Sequence, residues 1–138
     1  FCGYNMADYF AHWLRMGARL AHPPAIFHVN WFRTDAQGRF LWPGFGENVR
    51  VLKWIAERVE GKAEAAETPV GYIPTPGSLT LEGLRLEPGT IEELLRIDKD
   101  AWTQEIAEQA SFFAQFGDRL PREIKEEHTA LAKRLGVA

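Results

Sequence analysis

Apolar side chains in residues 5–16 fall at Met6, Tyr9, Phe10, Trp13 and Leu14, the spacing that lines one face of an α-helix. Asn5 stands where a capping side chain belongs, and Asp8, three residues on, takes the carboxylate place of a capping box. Gly17 and then Pro23-Pro24 end this helix. Residues 25–32 (AIFHVNWF) are short, β-branched and aromatic, with Ile26, His28, Asn30 and Phe32 alternating against Ala25, Phe27, Val29 and Trp31. That pattern predicts a strand with both faces largely covered. Thr34-Asp35-Ala36-Gln37-Gly38 carries turn chemistry, so residues 39–42 are expected to return as the second strand of a hairpin. Pro43-Gly44-Phe45-Gly46 breaks the pattern, and Asn48 opens a helix over residues 48–59 with Val51, Leu52, Ile55 and Val59 on its buried side.

Further along the chain, residues 64–67 read as a mobile loop and 70–73 as a short strand, while prolines 74, 76 and 88 forbid a long helix over residues 61–89. Thr90-Ile91-Glu92-Glu93 has the form of a capping box that starts a brief helix to Ile97. Asp98 is placed to cap a longer helix, with Trp102, Ile106, Ala110 and Phe113 as its stripe and Gly117 as its stop. Pro121 suits the first turn of a last helix that runs to Leu135 and ends at Gly136. The fold class expected is α/β, a small mixed sheet with covering helices. Residues 1–138 read as a single segment: 1–60, a connection over 61–89, and helices over 90–138.

Composition narrows the function. The 138 residues are 46% hydrophobic and 25% charged, enough apolar content for a core and too much for a disordered tail. No apolar run approaches the roughly 18 residues of a membrane span. Against 19 acidic side chains stand 16 basic ones, without a Lys/Arg block, so neither a nucleic-acid footprint nor a membrane-surface helix is present. Cys2 is the one cysteine, which excludes an internal disulfide framework and a cysteine-rich zinc site and fits a reducing, cytoplasmic setting. The chain opens at Phe1 in sequence that already reads as structured, without a secretory signal, and is expected to be a piece of something longer.

Among chemical motifs, GxxxxGK[ST], HExxH, GxSxG and the EF-hand loop are all missing. His12, His22, His28 and His128 are scattered over separate elements, and no metal site is predicted from them. His28 alone is placed to reach a site, and a single strand histidine reads first as structural. Acidic residues 105, 108, 123, 126 and 127 read as solvated helix faces without chemistry.

The informative stretch is residues 26–50, IFHVNWFRTDAQGRFLWPGFGENVR. Phe32, Phe40 and Phe45 come from three elements that a hairpin brings together, and exposed aromatics so placed stack on a planar base for about 1–3 kcal/mol each. Stacking does not choose among bases. Choice needs edge contacts, which the backbone of Phe45, Gly46, Glu47 and Asn48 and the Asn48 amide, with its donor and acceptor atoms, are equipped to make. Guanine offers O6 as acceptor and N1–H and N2–H₂ as donors. A pocket satisfying that row leaves groups unpaired against adenine, at about 1–3 kcal/mol apiece. The alternatives are ordinary core packing for the three phenylalanines and a helix N-cap for Asn48.

These residues also carry a resemblance. IFHVNWFR and GRFLWPGFGENVRVLKWI, with the opening FCGYN and DYFAHWL and the later TPVGYIP, closely resemble the C-terminal portion of the GTP-dependent phosphoenolpyruvate carboxykinase family. The resemblance is strongest over residues 26–55 and weak beyond about Pro88. It implies part of a nucleotide-binding domain and a gluconeogenic enzyme converting oxaloacetate and GTP to phosphoenolpyruvate, GDP and carbon dioxide, with manganese or magnesium. It further implies a guanine pocket in which Phe32, Phe40 and Phe45 surround the ring, Trp31 lies beside it, and Asn48 with the backbone of Phe45, Gly46, Glu47 and Asn48 reads the edge. The family's phosphate loop, metal ligands, substrate arginines and lid precede the region resembled, so the segment alone is expected to be inactive. Its partners by this resemblance are a guanine nucleotide and the rest of the same polypeptide, in a monomer. The strands would belong to a larger mixed sheet, leaving exposed edges and poor independent stability here. A stand-alone purine-nucleotide module without catalysis, and a helical interaction module with core aromatics, are the competing functions.

Overall fold

The computed structural model describes residues 2–137. Helices dominate: α1 (Met6–Arg19), α2 (Asn48–Val59), α3 (Thr90–Leu95), α4 (Lys99–Ala114) and α5 (Arg122–Leu135), with strands β1 (Ala65–Thr68) and β2 (Gly71–Pro74). They divide into two compact units, residues 2–24 with 97–137, and residues 25–96.

The first unit is helical. Asn5 caps α1 by accepting from the Ala7 N–H at 2.9 Å, and Asp98 caps α4 by accepting from the Ala101 N–H at 3.0 Å. Gly136, left-handed at φ 66°, ends α5. Ala7, Ile106, Leu120, Ala132 and Leu135 are buried. Around them Phe10 meets Phe113 and Phe116 edge-on, and His128 packs on Phe113 with its Nε2 3.1 Å from the Ile106 carbonyl. His128 is thereby a packing residue. Within α4, Ala110 is exposed, so the expected stripe is narrower than its spacing suggested.

The second unit holds the candidate site, and four expectations change there. Residues 25–32 form no strand; among the described residues the only sheet is the antiparallel pair β1–β2, with Ala65 opposite Pro74 and Thr68 opposite Gly71. Alternation places side chains on two sides, but a strand also needs a ladder partner, and at Asn30 the side chain captures the Phe32 N–H at 2.9 Å and turns the chain. The small mixed sheet is thus replaced by one two-stranded hairpin. Residues 65–67, part of the loop expected over 64–67, instead belong to β1, because the tight turn at Pro69 and Val70 folds that strand onto β2 despite a poor strand composition. On α2 the buried residue is Trp54, whereas Leu52 and Val59 are exposed. The indole of Trp54 donates to the Glu64 carbonyl at 3.1 Å and meets Phe27 edge-to-face at 6.2 Å, which fixes the buried side of the helix. Thr90 lies inside α3 with Gly89 (φ 84°) at the cap, and the Glu93 carboxylate binds Arg96 at 2.9 Å instead of closing a capping box.

Candidate nucleotide-base site

Local chemistry builds the hairpin that carries the first two phenylalanines. The Asp35 Oδ1 accepts from the backbone N–H groups of Gln37 and Arg39, both at 2.9 Å, and its Oδ2 accepts from the Arg39 Nε at 2.8 Å. These donors favour the charged carboxylate and hold Asp35 below its ordinary pKa, the Arg39 N–H contributing most. Gly38 closes the turn at φ 77°. Beyond it Thr34 and Phe40 pair in a single antiparallel bridge, and the Leu41 N–H donates to the Arg33 carbonyl at 2.9 Å. The returning stretch 39–42 therefore forms a hairpin arm but not an extended strand. At its base the Arg33 guanidinium donates to the Leu94 carbonyl at 2.7 Å, anchoring the hairpin to the end of α3.

This framework sets Phe32 and Phe40 edge to face with centroids 6.1 Å apart, while leaving them 73% and 64% exposed. Phe45 is 94% exposed and has no ring partner among the described residues. Core packing, the alternative for all three, is not what this chain does with them.

Phe45 opens a 3-10 turn, Phe45–Glu47, that leads directly into α2. Gly44 before it sits at φ 108° and ψ −161°, a region open in practice to glycine alone. An added Cβ at Gly46 would meet nothing within 4 Å. The Glu47 carboxylate accepts from the Arg50 Nε at 2.6 Å. Arg50 in turn donates to the carbonyls of Thr80 at 2.7 Å and Glu82 at 3.0 Å, so Glu47 and Arg50 brace the turn against the 80–82 segment. Asn48 begins α2 with helical backbone angles and is not its N-cap, a position held by Glu47; its N–H closes the preceding turn onto the Phe45 carbonyl, and its Oδ1 accepts from the Trp42 indole N–H at 3.0 Å. Trp42, only 6% exposed, is the residue that pattern reading missed. The available signal was a tryptophan six residues before a helix-opening asparagine, on the far side of a Pro-Gly turn.

Comparison with known proteins settles the family. The model of the phosphoenolpyruvate carboxykinase C-terminal P-loop domain matches residues 1–134. The chain belongs to the GTP-dependent phosphoenolpyruvate carboxykinase family. It is 49% identical over 99% of its length to phosphoenolpyruvate carboxykinase [GTP] of Paenarthrobacter aurescens, and 50% identical over its whole length to that of Neocallimastix frontalis. The protein of the same name from Thermoplasma volcanium is 48% identical over 99% of the chain. In each case the chain spans 23% of the relative's length. No GxxxxGK[ST] cradle occurs in the 138 residues. The described residues contain no group of three His, Cys, Asp or Glu side chains that could hold a metal ion.

Proposed function

We propose that this chain supplies the guanine pocket of a GTP-dependent phosphoenolpyruvate carboxykinase. The observation that carries this reading is the exposure of Phe32, Phe40 and Phe45, the first two in mutual ring contact and the third at the start of a glycine-bearing turn, in a chain of that family. Apolar rings left in water favour a planar partner. Phe32 and Phe40, already in mutual contact, form one wall, and the unpartnered Phe45 forms the other. Backbone groups of Phe45, Gly46, Glu47 and Asn48, together with the Asn48 amide, then read the base edge.

The complete enzyme converts oxaloacetate and GTP to phosphoenolpyruvate, GDP and carbon dioxide in the cytoplasm, as a monomer, with manganese or magnesium held by residues outside this chain. Phosphoryl transfer needs cations aligned on the phosphates, so residues 1–138 by themselves bind a base without catalysing the reaction. The mixed sheet expected for the domain would be supplied by strands from the rest of the polypeptide.

Replacing Phe45 or Asn48 by Ala, in the protein as its gene encodes it, separates a pocket from a core. Each variant is expected to lose GTP affinity by about tenfold or more; thermal unfolding of Phe45→Ala stays within a few degrees of the parent, while Asn48→Ala also leaves the Trp42 indole N–H without its acceptor and loses about 1–3 kcal/mol of stability. Loss of about 3–5 kcal/mol of stability at Phe45, with GTP affinity unchanged, would overturn the assignment.

A further inference from the structure

Asparagine carries a donor at one end of its amide and an acceptor at the other, so a base-reading Asn48 is informative only if something decides which end faces the base. An indole N–H donates and never accepts. The Trp42 Nε1 lies 3.0 Å from the Asn48 side chain, and only Oδ1 can meet it there; an amide turned the other way would set donor against donor. Trp42 is held in place, being 6% exposed. Asn48 Nδ2 has no acceptor among the described residues and is the end left to a ligand. The same bond also closes the chain from Trp42 to Asn48 across Gly44 and Phe45, so the stacking ring and the reading amide are set by one contact.

From this we infer that Trp42 is a specificity-determining positioning residue: it fixes the Asn48 amide so that the pocket presents a donor, which donates to the 6-oxo group of guanine or hypoxanthine and is left unpaired by the 6-amino group of adenine. The inference rests on the guanine-pocket reading above. Guanine O6 accepts where adenine N6–H₂ donates, so a fixed Nδ2 satisfies the first and is left unpaired by the second, a penalty worth about tenfold in affinity. Without the indole N–H the amide is free to turn and meet either base.

The test is equilibrium binding of GTP, ITP and ATP to the protein as its gene encodes it, and to two variants. One is Trp42→Phe; the other replaces Trp42 by benzothienylalanine, which keeps the bicyclic shape and deletes only the N–H, so that the question survives if the first variant folds poorly. The expected result is a fall of about tenfold in the GTP-to-ATP affinity ratio, produced mainly by tighter ATP binding. The GTP-to-ITP ratio, which reports the 2-amino group, should not move. A merely structural role weakens all three nucleotides together and cannot tighten one, so parallel losses would overturn the inference. So would a GTP-to-ATP ratio unchanged in the isosteric variant of a protein that discriminates. If the parent itself shows no preference for GTP over ATP, the guanine pocket fails first and the role of Trp42 fails with it.

Discussion

Asp35 shows how much of the site depends on single side chains. Its carboxylate ties both the Gln37 and Arg39 N–H groups and the Arg39 guanidinium, and these donors lower its pKa from the ordinary 3.8. A carboxyl group whose folded pKa is depressed stabilises the fold above its unfolded pKa and loses that contribution as pH falls through the folded value. The hairpin carrying Phe32 and Phe40 should therefore keep its order at neutral pH and loosen only below 3.8. Following the Gln37 and Arg39 amide resonances through an acid titration checks this, with Asp35→Asn as the control that should not titrate. A midpoint at or above 3.8 would contradict it. Asp35 was legible as a turn former from sequence. The Trp42–Asn48 bond was not, because hydropathy treats tryptophan as apolar bulk and ignores its one directional donor.

At the scale of elements, Gly44 controls where the third ring stands. Its φ of 108° and ψ of −161° are denied to other residues by the backbone itself, since an added Cβ would meet nothing within 4 Å. Gly44→Ala is expected to cost about 1–3 kcal/mol and to weaken GTP binding through displacement of Phe45. Chemical denaturation and a nucleotide titration on the same variant measure both, and a neutral substitution in both would refute this role. Helices α1, α2, α4 and α5 were readable because the 3.6-residue period and the capping of α1 and α4 are local. The strand over residues 25–32 was misread because pairing is not local: alternation is present, yet no ladder partner lies among the described residues. β1 was missed for the converse reason, since Ala-Ala-Glu-Thr has little strand preference and is held by its partner β2.

For the whole molecule, the exposed apolar side chains do not look like scatter. On α2, Val49, Leu52 and Val59 are 63%, 54% and 62% exposed at helical spacing, and on α1 Tyr9 and Trp13 are 40% and 50% exposed with their rings 5.9 Å apart. No large side chain is fully buried among the described residues. Such surfaces normally pack against something, and the relatives are long enough to supply it, since the chain spans 23% of their length. Residues 1–138 expressed alone are accordingly expected to bind a hydrophobic dye and to melt without a sharp transition. A cooperative unfolding transition at about 45–65 °C would show instead that the two units are self-sufficient. No described helix is long and apolar enough to cross a membrane.

The guanine pocket itself is tested most directly by calorimetric titration of the protein, as its gene encodes it, with GTP and with ATP under the same conditions. A guanine pocket built from these residues should bind GTP more tightly than ATP by about tenfold or more. Equal affinities, or no heat from either nucleotide, would contradict it and leave Phe32, Phe40 and Phe45 as a surface for some other partner.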